Sequence, residues 1–163
     1  MRDKDAVVAS MLICELAAWW KGRGLDLYEA MQLLYDRYGY WANELLSVTY
    51  EGPEGSEKMK VIMKGLRSSA PCDVAGIPVQ LCLDYSDGAP MPIVNLGQSS
   101  VSQELPPSDV FELQLSGGSR VIIRPSGTEP KIKAYVFARG NTLEAANDLL
   151  VKLSGSTQLI LKS

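Results

Sequence analysis

The residues best suited to chemistry in this sequence lie in one short loop, Arg124-Pro125-Ser126-Gly127-Thr128-Glu129-Pro130. A phosphate group is bound best by forked donors on a delocalised cation, by short hydroxyl donors and by a backbone that can approach closely. Arg124 supplies the forked donors, and Gly127 supplies an unhindered backbone. Ser126 and Thr128 supply the hydroxyls. The loop therefore predicts a phosphate-binding site.

The two prolines of the loop predict that it holds one shape. Pro125 and Pro130 lack an N–H and restrict the backbone beside them. The amides of Gly127 and Thr128 then become the expected anion donors. The alternative is an ordinary hairpin loop without a ligand, because glycine, proline, serine and threonine are common turn residues.

One residue of the loop has the wrong charge for an anion site. We expect the carboxylate of Glu129 to turn away from Arg124 and Ser126, toward Lys131 or Lys133. A structure in which Glu129 faces the other two side chains would contradict this interpretation.

The loop joins two segments that have the pattern of β-strands. Before it, residues 121–123 form a β-branched run, and after it apolar residues alternate with polar or aromatic ones from Ile132 to Arg139. A period of two is typical of a strand. Upstream, the turn at 116–119 returns a strand over 110–115 onto the strand over 120–124. The loop is thus predicted to connect neighbouring antiparallel strands.

The segment RPSGTEPKIK resembles the phosphate-binding loop in the last domain of the α-D-phosphohexomutases, the family of phosphoglucomutases and phosphomannomutases. Two longer stretches, RDKDAVVASMLICELAAWW and LPPSDVFELQLSGGSRVIIRPSGTEPKIK, are similar to the bacterial phosphoglucomutase branch. The resemblance therefore does not depend on one motif. Members of this family have four domains, and the chain resembles only their carboxyl-terminal part.

The resemblance implies an activity and a set of residues. Enzymes of this family are isomerases that move a phosphoryl group between the 1 and 6 positions of a hexose, using a phosphoserine, Mg²⁺ and a hexose 1,6-bisphosphate. Their last domain holds the non-reacting phosphate of the substrate. The matching positions are Arg124, Ser126, Gly127 and Thr128, with Lys131 and Lys133 adding charge at the rim.

The same resemblance shows what the chain lacks. We recognise no phosphoserine loop, magnesium loop or sugar-recognition loop in it. We therefore expect a phosphate clamp that holds no cofactor of its own and is inactive alone. The implied partners are hexose phosphates, namely glucose 1-phosphate, glucose 6-phosphate and mannose phosphates. The alternatives are a free-standing anion-binding or interaction module and a structural domain without a ligand.

Composition excludes several other classes of function. With 46% hydrophobic and 21% charged residues, the sequence is typical of a soluble globular protein. A net charge of -3 and a pI near 5.0 argue against a general nucleic-acid binder. The absence of histidine removes Ser-His-Asp catalysis, Cys-His catalysis and histidine metal sites. The apolar stretch 11–20 is too short for a membrane span and contains Glu15, so we expect no membrane association.

The three cysteines predict a reducing compartment. Cys14, Cys72 and Cys82 are scattered along the chain and cannot all pair within it. We expect free, buried thiols and a cytoplasmic protein.

The first 39 residues predict a helical hairpin. One helix is expected from about Asp5 to Lys21 and a second from about Leu27 to Tyr38. By resemblance, this segment corresponds to the end of the third domain and the interdomain hinge. The apolar residues of the first helix cover most of its sides, so we expect it to mediate self-association.

Residues 40–163 predict the phosphate-binding domain itself. Strands are expected over 40–50 and 79–85, and helices over 53–67 and from an Asn141 cap to Leu153, with Gly155 ending the last. Residues 86–107 show no clear pattern. Short links between the later strands predict an α+β fold, an antiparallel sheet of four to five strands with helices packed on one face. By resemblance, this is the TATA-binding-protein-like last domain of the phosphohexomutases.

Overall fold

A computed structural model describes residues 5–52, 54–86, 91–95, 106–127 and 129–162, with only the backbone described for 91–95. The chain forms two compact units, Met1–Tyr40 and Trp41–Ser163. The elements in chain order are α1 (Ala6–Lys21), α2 (Leu27–Tyr38), β1 (Tyr40–Thr49), α3 (Gly55–Ser68), β2 (Asp73–Val74), β3 (Ile77–Asp84), β4 (Met91–Asn95), β5 (Phe111–Leu115), a 3₁₀ turn (Ser116–Gly118), β6 (Arg120–Pro125), β7 (Lys131–Gly140) and α4 (Leu143–Ile160).

The first unit consists of two helices whose ends are set by their own side chains. The Asp5 carboxylate accepts the Val8 N–H at 3.0 Å and begins α1. Asp26 and Glu29 form a reciprocal capping box at α2, with both bonds at 2.8 Å. None of the sixteen residues of α1 is buried. Most of its apolar side chains are therefore open to solvent, and only Ala17 and Trp20 are partly covered.

The second unit is built on one antiparallel sheet in the order β1-β7-β6-β5-β3-β2, with β4 also paired to β3. The end of β1 lies beside the start of β7, because the Tyr50 N–H donates to the Pro130 carbonyl at 2.8 Å. The α+β class is confirmed, but the sheet has seven strands where the sequence predicts four to five. The additional strands include β2, a two-residue strand in a tight hairpin with β3, and β4, which lies in the stretch without a clear sequence pattern.

The core of this unit lies on one face of the sheet, beneath α3 and α4. Along β7, Ile132, Ala134, Val136 and Ala138 are fully buried, while the residues between them are only half-buried or exposed. The helices contribute the other half of the core. Their buried apolar residues are Met59, Ile62, Met63, Leu66, Leu153 and Leu161. The opposite face of β6 and β7 carries polar and aromatic side chains and is partly open.

Three expectations about single residues are wrong. Thr142, not Asn141, caps α4, because its hydroxyl accepts the Ala145 N–H at 3.1 Å. The helix also continues through Gly155 to Ile160 instead of ending there. The three cysteines are free as predicted, but two of them, Cys14 and Cys72, are exposed.

Candidate functional site

The candidate loop connects β6 to β7, as the strand pattern predicts. Its shape is held by backbone hydrogen bonds at its closing end, where the Ser126 N–H donates to the Lys131 carbonyl at 2.8 Å and the Lys131 N–H donates to the Glu129 carbonyl at 2.7 Å. Gly127 is exposed and Ser126 is half-buried. Thr128, the second hydroxyl of the prediction, lies outside the described residues.

The register of the two strands brings two cations together at the mouth of the loop. Arg124 on β6 lies directly opposite Lys133 on β7. Side chains of directly opposed residues stand on the same face of a sheet, with Cβ atoms about 4.5–5.5 Å apart. Ile123 and Ile132, which precede Arg124 and Lys133 in their strands, are buried in the helix-covered core. Because successive residues of a strand point to opposite faces, Arg124 and Lys133 lie on the face without helices. Arg124 is exposed, so the guanidinium is accessible to a ligand.

Lys131, the third predicted cation, is paired with the one acidic residue of the loop. Its Nζ lies 2.7 Å from Glu129 Oε2. The hydrogen bond and the charge of Lys131 hold the pKa of the Glu129 carboxyl below its usual value. Glu129 thus turns to Lys131, one of the two partners that the sequence suggests.

The loop is anchored by residues that the sequence analysis did not single out. The Pro130 carbonyl accepts the Tyr50 N–H, which ties the loop to the end of β1. Gly55, the first residue of α3, lies against the same point, since a Cβ placed on it would be 3.1 Å from Pro130 Cβ and 2.4 Å from the Tyr50 carbonyl oxygen. The loop, β1 and α3 therefore meet at one close-packed junction. The only sequence signal for this junction is Gly55 itself, a glycine at the start of a helical pattern. The sequence does not show that Gly55 packs against Pro130, because the two residues are far apart in the chain.

Two arginines on the same open face, Arg124 and Arg120, lie over aromatic rings. The Arg124 guanidinium carbon lies 6.0 Å from the centroid of the Tyr135 ring, and that of Arg120 lies 4.9 Å from the centroid of the Phe137 ring. At such distances the ring faces attract the cations. The face is therefore basic around the loop, although the chain as a whole carries a net negative charge.

A buried carboxylate lies farther along this face, on β5. Glu112 accepts hydrogen bonds from Tyr85 Oη at 2.8 Å and from Gln114 Nε2 at 3.2 Å, and lies 3.9 Å from Arg120 Nη1. Burial and the hydrogen bond to Glu112 raise the pKa of Tyr85 to about 12. These groups satisfy one another, so we assign them a structural role.

The described residues include no group of three or more His, Cys, Asp or Glu side chains placed to hold a metal ion. Within the same residues, no helix is both long and apolar enough to cross a membrane.

Comparison with protein families places residues 99–153 in one group. This segment matches the model of the phosphoglucomutase/phosphomannomutase C-terminal domain. The matched residues include β5, β6, β7, the loop between β6 and β7, and the first eleven residues of α4.

Individual relatives agree with the family match. The chain is 37% identical over 137 residues to a phosphoglucomutase of Staphylococcus aureus (strain bovine RF122 / ET3-1). The matched region covers 83% of this chain and 24% of that protein. It is 34% identical over 136 residues to a phosphoglucomutase of Staphylococcus epidermidis (strain RP62A), with the same coverage of both chains. The chain therefore spans about a quarter of the length of these relatives.

A solved structure shares the fold. The open form of pp63/parafusin, a phosphoglucomutase from Paramecium, superposes with a TM-score of 0.62 at 18% identity, covering 99% of this chain and 27% of that chain. At this identity the match shows the fold alone.

Proposed function

Since the chain carries a C-terminal domain of the phosphoglucomutase and phosphomannomutase family, as its sequence resemblance predicted, we propose that loop 124–130 clamps the non-reacting phosphate of a hexose phosphate. The observation that carries this proposal is the position of Arg124, exposed at the mouth of the loop and directly opposite Lys133. A forked guanidinium beside an ammonium group is well suited to a dianion. Glucose 1-phosphate and glucose 6-phosphate are the first ligands to consider, with mannose phosphates as further candidates.

The clamp serves the reaction by positioning. Phosphoryl transfer depends mainly on alignment and on neutralisation of charge, and binding energy from a remote phosphate can be used for both. Arg124, Ser126 and the backbone amide of Gly127 would fix one end of the substrate, with Thr128 as a further donor. Lys131 and Lys133 would supply charge at the rim. The substrate's other end is then held at a defined distance and orientation.

The transferring chemistry belongs to other parts of the enzyme in this proposal. The described residues offer no carboxylate cluster suited to Mg²⁺. On the family resemblance, we assign the metal, the phosphoserine and the hexose 1,6-bisphosphate intermediate to the rest of an intramolecular phosphotransferase. The chain alone should show no interconversion of glucose 1-phosphate and glucose 6-phosphate in a coupled assay.

The clamp is tested by titrating glucose 1-phosphate into the whole chain and into two variants by calorimetry or NMR. One loop buries little of a sugar phosphate, so binding to the parent chain should be weak, with a Kd of about 1 mM. Arg124→Ala should weaken binding at least about tenfold, because hydrogen bonds between charged groups contribute about 1.5–3 kcal/mol. Arg37→Ala removes an exposed arginine from α2 and should leave binding unchanged. Equal affinity for all three proteins would refute the clamp.

The exposed helix α1 supports a second proposal, that the chain self-associates through it. Its most exposed apolar residues are Val7 at 72%, Met11 at 66% and Leu12 at 60%. Apolar surface that remains in water favours association with a second copy. Sedimentation should show an apparent mass that rises with concentration for the parent chain and for Val151→Lys, an equally apolar exposed site on α4, but not for Leu12→Lys. A monomer at all concentrations would overturn this proposal.

A further inference from the structure

The ion pair inside the loop points to a role for Glu129 in the affinity of the site. Glu129 Oε2 and Lys131 Nζ lie 2.7 Å apart, within the segment that is proposed to bind a dianion. We propose that Glu129 is a built-in competitor, which occupies Lys131 when no ligand is bound and releases it to the phosphate. This inference rests on the proposed clamp.

The ion pair is not needed to hold the loop in shape. Three backbone hydrogen bonds already do so, from Ser126 to Lys131, from Lys131 to Glu129 and from Tyr50 to Pro130. The Glu129 side chain is 58% exposed, and exposed ion pairs contribute little to stability. The carboxylate can therefore change partners without moving the backbone.

The neighbouring charges explain why the carboxylate pairs with Lys131 and what a ligand would change. Lys131, Lys133 and Arg124 stand on one face, because alternate residues of β7 share a face and Arg124 is paired with Lys133. Among the described residues, Lys131 has an ion-pair partner in Glu129, whereas Arg124 and Lys133 have none. An incoming dianion meets two available cations and a third that is neutralised. Glu129 would therefore weaken binding both by repelling the anion and by occupying Lys131.

Lys131 is well placed for such an exchange. Its side chain is 23% exposed, against 58% for that of Glu129, and its Nζ already lies at the loop, 2.7 Å from Glu129 Oε2. A compact ammonium with several donors can move from a carboxylate to a phosphate with a small rotation. The exchange involves no bond making and no proton transfer, only a change of ionic partner.

The test compares Glu129→Gln with the parent chain, using inorganic phosphate and glucose 1-phosphate as probes at low ionic strength. We expect Glu129→Gln to bind both about three- to tenfold more tightly, in line with the strength of an exposed ion pair together with the loss of repulsion. The difference should shrink in about 1 M KCl, where the screening length is about 3 Å. Asp148→Asn gives the same change in net charge on the exposed side of α4 and should bind like the parent.

A second variant separates competition for Lys131 from simple repulsion. In a Lys131→Met background, the increase in phosphate affinity caused by Glu129→Gln should fall below about twofold, because the ammonium group for which Glu129 and phosphate compete is absent. A full gain in that background would overturn the exchange. Urea unfolding midpoints of the single variants should match that of the parent, which excludes a change in folding.

The outcomes also separate this inference from the clamp. If the parent binds phosphate in a way that requires Arg124 but Glu129→Gln binds equally or more weakly, then Glu129 positions Lys131 instead of competing for it, and only this inference fails. If neither the parent nor Glu129→Gln binds either probe, the clamp fails and this inference fails with it.

Discussion

Replacing Gly55 by alanine should disturb the junction that anchors the loop. A Cβ at this position would lie 2.4 Å from the Tyr50 carbonyl oxygen and 3.1 Å from Pro130 Cβ. Neither neighbour can rotate out of the way, because one is backbone and the other belongs to a proline ring. The first turn of α3, the end of β1 or the loop must therefore move.

The size of the effect follows from these distances. The contact with the carbonyl oxygen is about 1 Å closer than ordinary van der Waals contact. Overpacking of this kind typically costs about 1–3 kcal/mol. The loss of glycine's freedom in the unfolded chain offsets about 0.4–1 kcal/mol of that. We therefore expect Gly55→Ala to lower the free energy of unfolding by about 1–2 kcal/mol.

A second glycine of the same helix provides a matched control. A Cβ on Gly65 would meet nothing within 4 Å. Because alanine is a better helix former than glycine, Gly65→Ala should raise the free energy of unfolding by about 0.5–1 kcal/mol. The same substitution in one helix is thus expected to have opposite effects at two positions.

Urea unfolding followed by circular dichroism measures both changes. With a dependence of about 2 kcal/mol per molar urea, Gly55→Ala should lower the midpoint by about 0.5–1 M, and Gly65→Ala should raise it slightly. Phosphate affinity should fall for the first variant only. If Gly55→Ala is as stable as Gly65→Ala and binds phosphate like the parent, the junction does not have the packing described above.

Two further predictions concern the stability of the sheet unit. Burial alone would raise the pKa of the Asp84 carboxyl, but hydrogen bonds from the Arg67 guanidinium and from Ser86 outweigh it and hold that pKa below its usual value. The resulting stability is present above the unfolded-state pKa of about 3.9 and is lost as the pH falls through the lower folded-state value. Asp84→Asn should therefore lower the free energy of unfolding by about 1–2 kcal/mol at pH 7, and urea titrations at lower pH should show the gap closing below about pH 4; a gap that is constant with pH would contradict this. Thr142→Ala should cost about 1 kcal/mol in the same assay while Asn141→Ala costs almost nothing, and the reverse order would show that the cap of α4 is wrongly assigned.

The elements that the sequence predicted best are those whose ends are set by neighbouring residues. The caps at Asp5 and Asp26 act on amides three residues away, and Gly39 stops α2 at its other end. The hairpin of β6 and β7 is similar, because alternation and a proline-rich turn specify it locally. In each case the interacting partners lie within a few residues of one another in the sequence.

The elements that the sequence missed depend on distant contacts. Asp73–Val74 is too short and too close to a turn to predict a strand by itself, and β2 exists because it pairs with β3. Likewise, Gly155 costs a helix about 1 kcal/mol relative to alanine, which is why the sequence predicts the end of α4 there. The helix continues because Leu153 on one side of this glycine and Leu161 beyond it are fully buried in the core. Packing outweighs the local preference at that position.

In the candidate site, too, the features set by residues close in sequence were predictable and those set by distant residues were not. The residue types of the loop and the turn of Glu129 toward a lysine were predictable, because all of them lie within a few positions of one another. The junction with Tyr50 and Gly55 was not predictable, since its partners come from β1 and α3. The choice of Lys131 over Lys133 as the partner of Glu129 was also left open by the sequence.

This division explains why the proposed experiments on the loop can be interpreted. Backbone bonds and the packing of Pro130 against Gly55 set its shape, whereas Arg124, Glu129 and Lys131 set its charge. Because the charged side chains are not among the groups that fix the backbone, replacing them should change anion affinity at nearly constant stability. Gly55→Ala should instead lower stability and anion affinity together, since it moves the backbone that shapes the loop and leaves every charge in place. A site in which replacing the charged side chains changed stability as much as affinity would not be preorganised in the sense that a phosphate clamp requires.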